Sequence, residues 1–186
     1  MTLPDAGWRS GGPMMDAVDS AEAADDDFRA FVGARWRRML RTAYLLTGSP
    51  HDAEDLVQTA LARTYSRWGR VRRADDPDAY VWRVMINLNV DRLRRRSVRE
   101  WLTDRLPERL AVDRSDQVAT RGALLDALGR LPARQRAVVV LRYVEDRSET
   151  EVAAMLGIGV GTVRGYSSRG LARLRDDGAL QDLRST

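Results

Sequence analysis

Apolar residues recur every three or four positions along most of this chain, and no stretch shows the strict alternation of a strand. Phe28, Val32, Trp36, Met39, Ala43 and Leu46 form one stripe, the pattern of an amphipathic helix. Gly48 ends it. Ser49-Pro50 opens a second helix, the serine as N-cap and the proline in its first turn. Ala53, Leu56, Val57, Ala60, Leu61, Thr64 and Trp68 are its inner face, and Gly69–Asp75 (GRVRRAD) reads as a basic loop. Asp76-Pro77 caps a third helix with the stripe Val81, Val84, Met85 and Leu88, running into Arg92, Arg94, Arg95 and Arg96. Residues 98–118 lose the period and contain Pro107, which predicts a linker with one short helix around Trp101. Further helices are predicted over 119–130, 132–144, 148–156 and 160–176. The expected fold is all-α: two small helical domains, 28–97 and 119–178, joined by a flexible linker and followed by a tail at 179–186.

Charge sharpens this picture. All 31 basic residues are arginine, which a GC-rich genome would also produce. Residues 1–27 carry a net −6, so the rest of the +4 chain carries +10. The first segment reads as a disordered acidic tail. The basic body points to a polyanion, with nucleic acid the leading candidate; an Arg-rich solvated surface is the plainer alternative. There is no Cys and one His, His51. That argues against disulfides, thiolate or histidine metal sites and a Cys or His catalytic centre. No metal, no cofactor and no enzymatic chemistry are expected. No apolar run approaches a membrane span, and no secretory pattern opens the chain, so a cytoplasmic protein without membrane insertion is expected.

The most informative stretch is LGIGVGTVRGYSSRG, Leu156 to Gly170. Its glycines suggest a phosphate loop, yet a P-loop requires Lys, which is absent. A dinucleotide fingerprint requires a third Gly where Arg164 stands, after a strand rather than a helix. Ser148-Glu149-Thr150-Glu151 is instead a capping box opening a short helix. Ala153, Gly157 and Val163 then fall in helix-turn-helix register: small at the crossing, left-handed at the turn, apolar in the second helix. At 100° per residue, Val163, Ser167, Gly170, Leu171 and Leu174 face the domain. Gly165, Ser168, Arg169 and Ala172 face away, flanked by Arg164 and Tyr166. An Arg-bearing outer face suits a major groove, and Thr162 with the first-turn amides suits a phosphate. The alternative is a solvated face on a bundle helix.

Two more motifs, AEDLVQ at 53–58 and AYVWRVMINLNVDRLRRR at 79–96, stand in order before this helix-turn-helix. Together they resemble bacterial RNA polymerase sigma factors of the extracytoplasmic-function type over about 28–176. The resemblance implies a specificity subunit that directs core polymerase to promoters, melting the −10 element with one domain and holding duplex −35 DNA with the other. It implies that Asp52, Glu54, Asp55, Leu56, Val57 and Gln58 meet the clamp helices of the largest polymerase subunit. It implies −10 contacts from Arg70, Arg72 and Arg73 in the loop and from Trp82, Arg83, Asn87, Asp91, Arg94 and Arg95 on the third helix. It places −35 contacts on Thr162, Arg164, Gly165, Tyr166, Ser168 and Arg169. It also makes an anti-sigma factor a plausible partner. Asp91 has the alternative of orienting Arg94 or Arg95, and Trp82 that of a core residue. Tyr80 stands where the family usually has Trp, Ile86 where it has a polar or basic residue, and Gly165 where it has Ser. The competing reading is a stand-alone helix-turn-helix regulator binding duplex operator DNA.

Overall fold

The computed structural model describes residues 13–103 and 116–182, with side chains described over 22–95 and 122–181. Every element among them is a helix: α1 (Pro13–Thr47), α2 (Pro50–Tyr65), α3 (Trp68–Val71), α4 (Pro77–Thr103), α5 (Asp116–Arg130), α6 (Ala133–Tyr143), α7 (Glu149–Leu156), α8 (Val160–Arg175) and α9 (Gly178–Asp182). The chain divides into two compact units, one up to Arg35 and one from Trp36 on.

In the first unit α1 begins at Pro13, inside the stretch expected to be a disordered tail. Its sequence explains why. Ala17, Ala21, Ala23 and Ala24 are strong helix formers. Arg29 pairs with Asp26 at 2.8 Å one turn away, and the Arg35 guanidinium lies 4.2 Å from the Phe31 ring centroid; such spacings support a helix locally. Residues 1–12 of the expected tail lie outside the described residues.

In the second unit the local signals act as read. Gly48 stops α1 at φ 77°, a left-handed position. The Ser49 hydroxyl accepts from the Asp52 amide at 3.4 Å, and the Asp76 carboxylate from the Ala79 amide at 2.9 Å. The predicted inner face of α2, Ala53 to Thr64, is buried. The expected basic loop contains one helical turn, α3, because Trp68 and Val71 bury together at an i, i+3 spacing. The predicted short helix around Trp101 is the continuation of α4, which extends to Thr103.

Helix α6 is buried from Gln135 through Leu141. Five consecutive apolar residues leave no face for water, so neighbours must cover it all round. Helices α8, α7 and α4 do so. Gly170 marks the closest approach of α8: a Cβ there would lie 2.6 Å from Val139 Cγ2.

The coverage by α4 brings the two predicted helical sets together. In the structure they pack directly on one another, α4 against both α6 and α7. Leu45 of α1 packs on Leu128, Leu131 and Val139. The Leu46 carbonyl, orphaned at the end of α1, accepts from Asn89 at 3.3 Å and from Arg136 at 2.8 Å. Residues 98–103 of the expected linker belong to α4 and 116–118 to α5; 104–115 lie outside the described residues. Of the expected tail at 179–186, residues 179–182 belong to α9 and 183–186 lie outside.

Candidate nucleic-acid interface

The turn between α7 and α8 is held by backbone chemistry. The Ser148 hydroxyl accepts from the Glu151 amide at 3.2 Å, and the Glu151 carboxylate from the Ser148 amide at 2.7 Å. The Ser148 hydroxyl and amide, with the Arg147 guanidinium, pull the Glu151 carboxyl down to about 2. Gly157 adopts φ 63°, where a side chain would be strained. The Ile158 amide donates back to the Ala153 carbonyl at 3.1 Å. Gly159 then caps α8 in an extended conformation, and Val163 is fully buried. This is the expected helix-turn-helix.

On the outer face of α8, Thr162, Arg164, Ser168 and Arg169 are exposed, while Gly165 and Tyr166 are half-buried. Arg164 donates to Glu149 of α7 at 2.7 Å. The Arg169 guanidinium lies 5.5 Å from the Tyr166 ring centroid, a cation–π distance. It also lies across Gly165: a Cβ there would stand 3.2 Å from an Arg169 terminal nitrogen. The gap at Gly165 is thus the bed of an arginine. The sequence reading missed Glu149 as an orienting group, because its place in the first turn of α7 was absorbed by the capping box.

On α2, Glu54, Asp55 and Gln58 are exposed. Asp52 is half-buried and pairs with Arg92 of α4 at 2.5 Å. Asp55 lies 3.6 Å from the exposed His51. Leu56 and Val57 do not belong to this surface: they are 5% and 0% exposed and form the inner face of the helix. The six residues of this motif therefore split into an outer polar set and a core pair, as helical periodicity requires.

Beyond α2 the exposed arginines Arg70, Arg72 and Arg73 project from α3 and the turn after it. Arg83, Asn87, Asp91, Arg94 and Arg95 are exposed along α4. Asp91 approaches Arg94 at 3.8 Å, the pairing its spacing allows. Trp82 is a correction: it is 2% exposed, inside the unit, with the Arg38 guanidinium 5.7 Å from its ring centroid. Stacking on a base is closed to it in this conformation. Tyr80 is half-buried between two cations. Its hydroxyl accepts from Arg67 at 3.2 Å, and Arg83 lies 5.9 Å from its ring. The hydrogen bond to Tyr80, and then the charge interaction with it, push the Arg67 guanidinium above the ordinary arginine value. Ile86 is 3% exposed and lines a notch with Asn87, Val90, Ala137, Leu156 and Ile158. Among the described residues no cluster of acidic or histidine side chains could hold a metal ion, and no helix is long and apolar enough to cross a membrane.

Residues 31–99 match the family described as Sigma-70 region 2, and residues 121–174 the family described as Sigma-70, region 4. Over 157 residues the chain is 45% identical to the RNA polymerase sigma-E factor of Streptomyces coelicolor, spanning 84% of this chain and 89% of that protein. It is 35% identical over 140 residues to the ECF RNA polymerase sigma factor SigM of Mycobacterium tuberculosis, spanning 74% and 70%. Its fold is similar to that of the sigma factor RpoE solved in complex with the anti-sigma factor NepR from Bartonella quintana. The TM-score is 0.68 at 23% identity, covering 81% of this chain and 95% of that one.

Proposed function

The chain belongs to the extracytoplasmic-function sigma factors of bacterial RNA polymerase, and on that premise we propose which of its surfaces carries each step. As a sigma factor it binds core polymerase and promoter DNA and directs initiation at specific promoters. Its family recognises DNA without catalysing a reaction. We take this chain likewise to have no active site, and to act in the cytoplasm, where core polymerase and chromosome are.

The exposed face of α2, with Glu54, Asp55 and Gln58, docks on the clamp helices of the largest subunit. Asp52 ties that helix to α4 through Arg92 rather than facing the partner alone. Docking brings Arg70, Arg72, Arg73 and the exposed arginines of α4 to the −10 region. There they neutralise phosphates, and Asn87 offers its amide to an unpaired base edge. Opening of the duplex is driven by the binding energy of bases once they leave the stack. Helix α8 enters the major groove of the −35 element. Arg164 and Arg169 have the donor geometry for guanine O6 and N7, and Thr162 and the first-turn amides face a phosphate. An anti-sigma factor is the proposed regulatory partner.

The observation that carries this reading is the order of three surfaces: acidic docking helix, Arg-rich helix, helix-turn-helix with two outward arginines. Runoff transcription with core polymerase over a genomic promoter library tests it. Transcripts from a promoter class sharing −35 and −10 elements are expected. No transcript and no core binding, with tight operator binding by the protein alone, would establish the stand-alone regulator instead.

A further inference from the structure

Two arginines on the outer face of α8 are held in different ways. Arg169 lies over Tyr166 and across Gly165, all on its own helix. Arg164 is held from another helix: its Nε donates at 2.7 Å to the carboxylate of Glu149, the first residue of α7. The left-handed turn at Gly157 folds the two helices so that these residues, distant in sequence, meet. Glu149 is not needed to begin α7, because Ser148 and Glu151 cap each other there. As a stabilising contact the pair is weak. The Arg164 side chain is 69% exposed and that of Glu149 31%, and exposed ion pairs contribute little. What the pair fixes is the direction of a long side chain.

A guanidinium carries its N–H groups in one rigid plane. The bond to Glu149 takes the one on Nε, and neither terminal nitrogen has a hydrogen-bond partner among the described residues. Nη1 and Nη2 therefore present one N–H each, side by side, at the exposed end of the side chain. That is the pair of donors guanine O6 and N7 accept. An unheld arginine gives up much rotamer freedom on docking; one already fixed by a carboxylate gives up less. The carboxylate also acts through charge. It partly neutralises the guanidinium and so weakens its pull on any backbone phosphate. It stands on the first helix of the motif, the one that crosses the DNA backbone. A group that penalises phosphate while aiming two donors at a base edge favours specific over non-specific binding.

We propose that Glu149 is a positioning residue for −35 recognition: it fixes Arg164 through Nε so that the two terminal nitrogens read a guanine rather than settle on a phosphate. The inference rests on the placement of α8 in the −35 major groove. It adds one base class, guanine, and one residue outside the recognition helix that sets the strength of that preference. Arg169, bedded on Gly165 and Tyr166, does not depend on Glu149 and is the internal comparison.

In the test, the full chain assembled with core polymerase is offered a promoter duplex library randomised over the −35 element, and the bound duplexes are sequenced. Arg164→Ala should flatten the preference at one base pair, and the base lost there should be guanine. The natural chain should favour that guanine about 5- to 150-fold, the range of a bidentate arginine–guanine pair. Glu149→Ala should lose most of that factor at the same base pair, while the base pair that Arg169→Ala flattens keeps its own preference. Glu149→Gln, with an acceptor at the same reach and no charge, should fall between. With Arg164 released to the backbone, the salt dependence of Glu149→Ala binding to duplex without a −35 match should steepen by about one phosphate contact. None of these shifts should remain in the Arg164→Ala background. A merely structural role for Glu149 would weaken every position alike. A Glu149→Ala variant that keeps the guanine preference, moves a different base pair, or acts equally on Arg164→Ala would overturn the proposal while leaving α8 as the reader. An Arg164→Ala variant that flattens no base pair would overturn it together with the placement of Arg164 in the groove.

Discussion

Replacing Gly165 with alanine should separate stability from promoter choice. Glycine inside a helix costs about 1 kcal/mol relative to alanine. The new Cβ would stand 3.2 Å from one terminal nitrogen of Arg169 and 3.5 Å from the other, so the guanidinium must give by a few tenths of an ångström. Arg169 is exposed, so its end can move outward at the expense of its place over Tyr166, a cation–π contact worth at most about 0.5–1 kcal/mol at an exposed site. Gain and loss nearly cancel, and the net change should fall within about 0.5 kcal/mol, or a melting shift of about 1–2 °C for a chain of this size. Promoter choice should change far more. A bidentate arginine–guanine contact discriminates by about 1–3 kcal/mol, about 5- to 150-fold. The assay is paired: thermal melting of the purified variant, and runoff transcription against promoters that differ only in the −35 element. A large loss of stability would mean that Arg169 cannot leave its bed. An unchanged −35 preference would mean that its position over Gly165 has no part in recognition.

Five further substitutions test other parts. Gly170→Ala should destabilise by about 1 kcal/mol or more, overpacking outweighing helix propensity, because its Cβ would meet Val139 Cγ2 at 2.6 Å and a β-branched side chain in a helix has one favoured rotamer. Gly122→Ala, with open space around it, should instead stabilise; urea unfolding of both reads the opposite signs. Asp55→Ala should weaken core-polymerase binding at every promoter, whereas Arg169→Ala should cost about 1–3 kcal/mol of discrimination only where a −35 match exists; a pull-down with core enzyme and a promoter series distinguishes them. Because the Glu151 carboxyl is depressed to about 2 from 4.5, its contribution is present above about pH 4.5 and is lost as pH falls toward 2. The stability gap between the natural chain and Glu151→Gln should therefore be full at neutral pH and close on acidification; a gap that widened in acid would contradict the assignment.

Much of the site was legible in the chain because its signals are local. Ser49, Ser148 with Glu151, and Gly157 each act on backbone groups within four residues of themselves. The outer face of α8 follows from the rotation per residue once Val163 is placed inside. The α2 motif shows where motif matching and periodicity part: Leu56 and Val57 carry the resemblance, yet the same 100° rotation that exposes Glu54, Asp55 and Gln58 turns them into the core. Periodicity had already put both on the inner stripe, and that reading was the better guide.

The sequence by itself determined the longer helices of the unit from Trp36 on, though not α3 and α9, together with their caps, the helix-turn-helix and the family, since each depends on spacings of a few residues or on motifs in order. Only the tertiary structure decided that Trp82 and Ile86 are covered, that Arg169 lies across Gly165, and that α4 packs against α6 and α7. The apolar arc of α4 is wider than one stripe, and what covers its second edge comes from Leu156 and Ile158, about 70 residues away. The one sequence hint of that partner was the unbroken run Ala137–Leu141, too apolar all round for its own neighbours in sequence to bury. Glu145 gave no hint at all. A carboxylate after a helix is ordinarily solvated, and it is buried and paired only because the fold carries Arg38 and Thr42 to it from more than 100 residues earlier in the chain.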